Sequence, residues 1–126
     1  MNKMVTILIA DDDENARLMC ERGLRAAGYV THSVSSGPEA LQFVAKNPPL
    51  DLIILDIKMA PLDGIEVLKQ LRARKVGIPV ILYSDYSFYK GEFDTWLADA
   101  YVVKSSDLKE LKKKVKELLS FEAQAN

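Results

Sequence analysis

The chain has 126 residues, with 18 acidic and 17 basic side chains and a formal net charge of −1. A hydrophobic share of 48% against 28% charged residues excludes a disordered chain, and the length fits one domain that buries roughly two thirds of its unfolded surface. The near balance of charge excludes a bulk polyanion binder, and the single cysteine excludes an intrachain disulfide and suits a reducing compartment.

Lys3 followed by Met4 to Ala10 has the outline of a signal peptide, but Asp11, Asp12, Asp13 and Glu14 follow at once with no small-residue cleavage site. A strand over Val5–Ala10 is expected instead. A helix follows, with Ala16, Met19, Cys20, Gly23 and Ala27 recurring on one face. Tyr29–Val34 is the second strand. Ser36 and Glu39 stand in capping-box spacing, with Pro38 in the first turn of the second helix. Leu52–Leu55 is the third strand, and Ile65, Leu68 and Leu71 mark a helix from about Ile65 to Arg74. Val80–Tyr83 is the fourth strand. Between Ser84 and Ala100 the pattern weakens at Gly91 and among aromatics, where a short or irregular helix is expected. Ala100–Val103 is the fifth strand, and Leu108, Leu111, Val115, Leu118 and Leu119 give the last helix an apolar stripe.

Several strands are apolar at consecutive positions, as in Leu52-Ile53-Ile54-Leu55, which suits parallel strands covered on both faces. Five strands alternating with five helical segments predict one doubly wound α/β domain over residues 1–126, with a core of about 4–119 and a frayed tail at 120–126. No apolar run reaches the ~18 residues a membrane helix needs, so a cytoplasmic protein without membrane contact is expected.

In such a sheet, ligands bind beyond the carboxyl ends of the strands, where strand order reverses. The residues just past those ends are Asp11 and Asp12, Asp56, Ser84 and Lys104. Each alone has an ordinary account: a helix cap, a loop cap, a turn hydroxyl, a solvated charge. Together they differ, because three carboxylates in one cleft repel one another unless a cation intervenes. Mg²⁺, held by one or two carboxylates and water, resolves that conflict, and Lys104 adds a fixed positive charge. A metal, an ammonium and a hydroxyl around a carboxylate is what phosphoryl transfer to aspartate requires, and Asp56 is the candidate nucleophile.

These residues resemble a response-regulator receiver domain of two-component signalling. The likeness is carried by Ile7-Leu8-Ile9-Ala10-Asp11-Asp12-Asp13, by Leu55-Asp56-Ile57-Lys58-Met59 with Asp63-Gly64, by Ser84, and by Ala100-Tyr101-Val102-Val103-Lys104. It covers about residues 4–119. The resemblance implies a flavodoxin-like (βα)5 domain, its five-stranded parallel sheet in the order 2-1-3-4-5 with helices on both faces. It further implies that Asp56 accepts a phosphoryl group from a histidine kinase or a histidine phosphotransfer protein. Asp12 and Asp56 would ligate Mg²⁺ directly, Asp11 through water, and the backbone carbonyl of Lys58 would complete the protein ligands. Ser84 and Lys104 would bind phosphoryl oxygens. Ser84 and Tyr101 would act as the switch that alters the distal face for an unknown downstream protein. The resemblance also implies a phosphoacceptor rather than an enzyme, one able to promote its own phosphorylation and dephosphorylation.

Four departures from the family pattern stand out. Ser105 follows Lys104 where proline is usual, Ala60-Pro61 replaces Pro-Gly, and Asp85 stands where a small residue is typical. The interval from 84 to 104 is short and holds Tyr86, Phe88, Tyr89 and Phe93.

Two other functions compete. An aspartate-nucleophile phosphohydrolase also uses carboxylates and Mg²⁺, and Asp11 and Asp13 have its Asp-x-Asp spacing; Lys58 argues against it at Asp56. A receiver whose switch has decayed would act as a phosphorylation-independent interaction module, and Ser105 and Asp85 favour that reading. His32 and Cys20 are expected to be structural, while Trp96 fits either core or a partner patch. Lys109, Lys112, Lys113, Lys114 and Lys116 read as a solvated helix face interleaved with Glu110 and Glu117, with no direct nucleic-acid contact expected. No DNA-binding or catalytic domain is expected after residue 119. The charges are unevenly placed: residues 1–66 hold 10 acids and 6 bases, and residues 67–126 hold 8 acids and 11 bases.

Overall fold

Strands that are apolar at consecutive positions need cover on both faces, and the fold supplies it. A computed structural model describes residues 4–46, 48–85 and 97–125, with side chains described as far as residue 120. Its elements are β1 (Thr6–Ala10), α1 (Glu14–Ala26), β2 (Val30–Val34), α2 (Gly37–Ala45), β3 (Leu52–Leu55), α3 (Gly64–Ala73), β4 (Val80–Ser84), β5 (Ala100–Val103) and α4 (Lys109–Ala125). Every predicted strand is present within one residue of its expected bounds. All neighbouring strands pair in parallel, in the order β2-β1-β3-β4-β5. The order therefore reverses between β1 and β3. The helix expected between Ser84 and Ala100 falls largely on residues 86–96, outside the described residues, as do Trp96 and its neighbouring aromatics.

Alternation along each strand sorts the core into two layers. Ile7, Ile9, Leu52, Ile54, Ile81 and Tyr83 face α1 and α4, where they meet Cys20, Leu24, Leu111 and Val115. Leu8, Ala10, Ile53, Leu55, Val80 and Leu82 face α2 and α3, where they meet Leu41, Val67, Leu68 and Leu71. The expected stripe of the last helix is thus the inner face of α4, and Lys109, Lys112, Lys113 and Lys116 are exposed opposite it. Ser36 caps α2 as its spacing implied, accepting from the N–H of Glu39 at 3.2 Å.

The structure corrects the reading in two places. The buried residues of α1 are Cys20, Glu21 and Leu24, whereas Met19 and Ala27 of the expected face are exposed. Glu21 can be buried because its carboxylate is satisfied: the Ser33 hydroxyl donates to Oε1 at 2.6 Å, and Arg25 Nη2 donates to Oε2 at 2.8 Å. Arg25 Nε also donates to Thr31 Oγ1 at 2.7 Å, so this network ties α1 to β2. Helix α4 continues to Ala125, through residues that were expected to fray. Glu122, Ala123, Gln124 and Ala125 are all strong helix formers, so the helical conformation persists past the last leucine. The cis peptide bond among the described residues precedes Pro61; Lys104–Ser105 is not cis. His32 is an exposed residue of the edge strand β2, its ring 5.2 Å from that of Phe43.

Candidate functional site

Strand register assembles the site. Ala10 pairs with Leu55, so the residues that follow them, Asp11 and Asp56, emerge side by side at the point where strand order reverses. The Asp56 N–H donates to the Ala10 carbonyl at 2.9 Å, carrying the ladder one step beyond the strands. On the other side, Ser84 pairs with Val103, and the Lys104 N–H donates to the Ser84 carbonyl at 2.7 Å. Residues from distant parts of the chain thus share one edge of the sheet.

The loops after β1 and β3 are held by their helices. Asp13 caps α1, its Oδ1 accepting from the N–H groups of Asn15 at 3.0 Å and Ala16 at 3.2 Å. Asp11 Oδ1 accepts from the Asp13 N–H at 2.9 Å, and Arg17 Nη1 donates to the Asp11 carbonyl at 2.8 Å. Asp63 caps α3 through the Glu66 N–H at 2.9 Å. The next residue has to be glycine, because a β-carbon at Gly64 would collide with the backbone carbonyl oxygen of Asp56. That close approach presses the start of α3 against the strand end bearing Asp56.

One carboxylate oxygen from each of Asp11, Asp12 and Asp56 lies within 4.8 Å of the other two. Asp11 and Asp56 are buried and Asp12 is exposed. The Lys104 ammonium reaches in from β5, 2.8 Å from Asp11 Oδ2 and 3.5 Å from Asp56 Oδ1. Burial, then the Asp11 charge, push the Asp56 carboxyl up to about 7, and Lys104 offsets only part of this. Burial works against the charge of Lys104, but its hydrogen bond with Asp11 and the charges of Asp56 and Asp11 outweigh it and hold the ammonium above its ordinary range.

The donor set consists only of oxygen ligands with surplus negative charge, which fits a hard divalent ion such as Mg²⁺. Beside Asp12 opens a groove of about 370 Å³, lined also by Ile57, Lys58, Met59, Ala60 and Asp63.

The expected site residues therefore divide. Asp11, Asp12, Asp56 and Lys104 come together, Ser84 is buried at the neighbouring strand end, and Lys58 lines the groove. Tyr101 stands apart, half-buried against the layer formed with α2 and α3. Two neighbours of the site had gone unread: Arg17, and Tyr83, whose ring centroid lies 5.6 Å from Lys104 Nζ. Strand alternation carried a signal for Tyr83, but it required knowing that β4 pairs with β5 and in which register.

A family model described as the response regulator receiver domain matches residues 7–116. The chain is 37% identical over 124 residues to the alkaline phosphatase synthesis transcriptional regulatory protein PhoP of Bacillus subtilis, covering 94% of this chain and 49% of that protein. It is 35% identical over 113 residues to the regulatory protein AtoC of Escherichia coli, covering 88% of this chain and 24% of AtoC. The chain thus spans half or less of the length of these relatives. Among solved structures, the response regulator TrrA of Thermotoga maritima in complex with Mg(2+)-BeF superposes with a TM-score of 0.86 at 40% identity, covering 91% of this chain and 99% of TrrA. TrrA in its complex with the histidine kinase ThkA gives a TM-score of 0.85 over 92% of this chain and 99% of the other, also at 40% identity.

Proposed function

The chain belongs to the response regulator receiver domain family, and on that premise we propose that it is a phosphorylation switch whose acceptor is Asp56. One observation carries the reading: Asp11, Asp12 and Asp56 present oxygens within 4.8 Å of one another, with Lys104 Nζ 3.5 Å from Asp56. In the transfer, a carboxylate oxygen of Asp56 attacks phosphorus. The bond from phosphorus to the donor histidine nitrogen breaks, and the imidazole leaves with that electron pair. Asp12, Asp56 and the carbonyl of Lys58 would hold Mg²⁺, with Asp11 acting through water. When bound, that ion supplies positive charge against the phosphoryl oxygens. Lys104 would exchange its carboxylate partners for one phosphoryl oxygen, and the Ser84 hydroxyl would donate to another. Movement of Ser84 then lets Tyr101 reorient on β5, which alters the face seen by a downstream protein.

TrrA, with Mg(2+)-BeF in one structure and a histidine kinase in another, supports Mg²⁺ as cofactor and a histidine kinase as phosphodonor. A histidine phosphotransfer protein is the other donor of suitable chemistry. Asp13 spends its carboxylate on capping α1, which leaves the Asp11-x-Asp13 phosphohydrolase reading without its second acid. Among the described residues no helix is long and apolar enough to cross a membrane, which accords with a cytoplasmic site of action.

Incubation with phosphoramidate and Mg²⁺, followed by intact mass, tests the assignment. Wild type gains the mass of one phosphoryl group and Asp56→Asn gains none. Equal labelling of the two proteins overturns Asp56 as acceptor, and an unlabelled wild type overturns the switch itself.

A further inference from the structure

We propose that Tyr83 is a positioning residue for Lys104, its ring holding the lysine ammonium where the phosphoryl oxygens on Asp56 will lie. The inference rests on the phosphoacceptor reading of Asp56.

The geometry starts from the pairing of β4 with β5. Tyr83 is in register with Val102, and Lys104 lies two residues further along, on the same face of the sheet. A long side chain there can cross diagonally over an aromatic ring on the neighbouring strand. The ammonium lies 5.6 Å from the ring centroid, within the ~6 Å over which the negative face of the ring attracts a cation. The ring itself is fixed: Tyr83 is 5% exposed and packed in the layer with Cys20, Ile81 and Val102.

Lys104 has two other partners at hand, Asp11 Oδ2 at 2.8 Å and Asp56 Oδ1 at 3.5 Å. Both are carboxylates whose charge is redirected in the reaction, one toward a metal and the other toward the incoming phosphorus. A lysine held by these alone would lose its restraint as the phosphoryl group arrives. The ring contact involves neither carboxylate, so it persists through the exchange. It also limits the orientations open to a flexible four-carbon stem, lowering the entropy lost when the ammonium meets a phosphoryl oxygen.

The test replaces Tyr83 with phenylalanine, then with singly, triply and fully fluorinated phenylalanines, which keep the ring shape while draining its negative face. The readouts are the rate of Asp56 phosphorylation by phosphoramidate, followed by intact mass, and the Mg²⁺ affinity by calorimetry. In that step an Asp56 oxygen bonds to phosphorus, the phosphorus–nitrogen bond breaks, and nitrogen leaves as ammonia with the hydrogens it already carries. Tyr83→Phe should stay within about two-fold of wild type, and the rate should fall stepwise to about ten-fold lower at full fluorination. Mg²⁺ affinity and the thermal midpoint should stay constant along the series, whereas a purely structural ring would leave the rate flat as well. A rate independent of fluorination overturns the inference, as does a fall in Mg²⁺ affinity that accounts for the rate. Tyr83→Leu, aliphatic at similar depth, should match the fully fluorinated protein, and a Leu variant as fast as Tyr83→Phe overturns it too. A wild type that takes no phosphoryl group at all fails differently, because it removes the phosphoacceptor reading and this inference with it.

Discussion

Burial and like charge act in one direction on the Asp56 carboxyl, and Lys104 offsets only part of their effect, so that it sits near 7 rather than at the ordinary 3.8. Without metal, the folded protein therefore binds more protons than the unfolded chain between those two values. Stability must fall as pH rises through that window. Asp56→Asn, which carries no charge at any pH, escapes the penalty. In the presence of a chelator, urea unfolding should show Asp56→Asn more stable than wild type at pH 8 by on the order of 2 kcal/mol, with the gap closing toward pH 4. A constant gap across that range would show that the carboxylate is not under electrostatic strain. Cys20, by contrast, is a group that burial, with the nearby Asp11 charge second, removes from chemistry, its thiol pushed up to about 12.

Helix α3 positions the acceptor from below. Gly64, its first residue, lies so close to the Asp56 carbonyl that an added methyl must either lift the strand end or push the helix away. Gly64→Ala should cost about 2–4 kcal/mol in thermal or urea unfolding and slow phosphorylation of Asp56. Gly77→Ala is the control, since a β-carbon there meets nothing within 4 Å, and the two variants behaving alike would remove the steric argument. At its other end α3 presents Arg72, which donates to the carbonyls of Val76 at 2.8 Å, Ile78 at 3.0 Å and Leu97 at 3.1 Å and pairs with Asp99 at 2.9 Å. Asp99 in turn accepts from the Val80 N–H at 2.8 Å. One arginine thus joins the end of α3 to the starts of β4 and β5, and so to the alignment that sets Tyr83 against Lys104.

The molecule as a whole gathers surplus negative charge at one edge of its sheet, and Lys104 offsets part of it. A cation bound there only in the folded state stabilises the protein by mass action, by about 1.4 kcal/mol for each tenfold excess over its dissociation constant. Millimolar Mg²⁺ should raise the urea midpoint of wild type beyond the effect of an equal ionic strength of Na⁺. Asp12→Asn, which removes an exposed carboxylate without touching the core, should lose most of that increment. An equal Mg²⁺ response in the two proteins would place the ion elsewhere.

Much of this was legible along the chain. The apolar runs at Ile7-Leu8-Ile9 and Leu52–Leu55 announced strands covered on both faces, and the alternation of strands with helical stripes over most of the chain announced a parallel sheet, since both patterns are local. Once the strands were placed, Asp11, Asp12, Asp56, Ser84 and Lys104 fell at strand ends, and the topology rule brought those ends together. What could not be read was the outcome of contacts between residues far apart in sequence. Glu21 is buried because Ser33 satisfies it, although its own helix pattern marks it as surface. In the acidic run 11–14, local rules allow any member to cap the helix; the folded backbone assigns that role to Asp13 and turns Asp11 toward Lys104, 93 residues away. The ring beneath Lys104 belongs to the same class. Periodicity settles which way a side chain points from its own strand, but the partner it meets depends on the register of two strands, and hydrogen bonding sets that register only when the whole sheet forms.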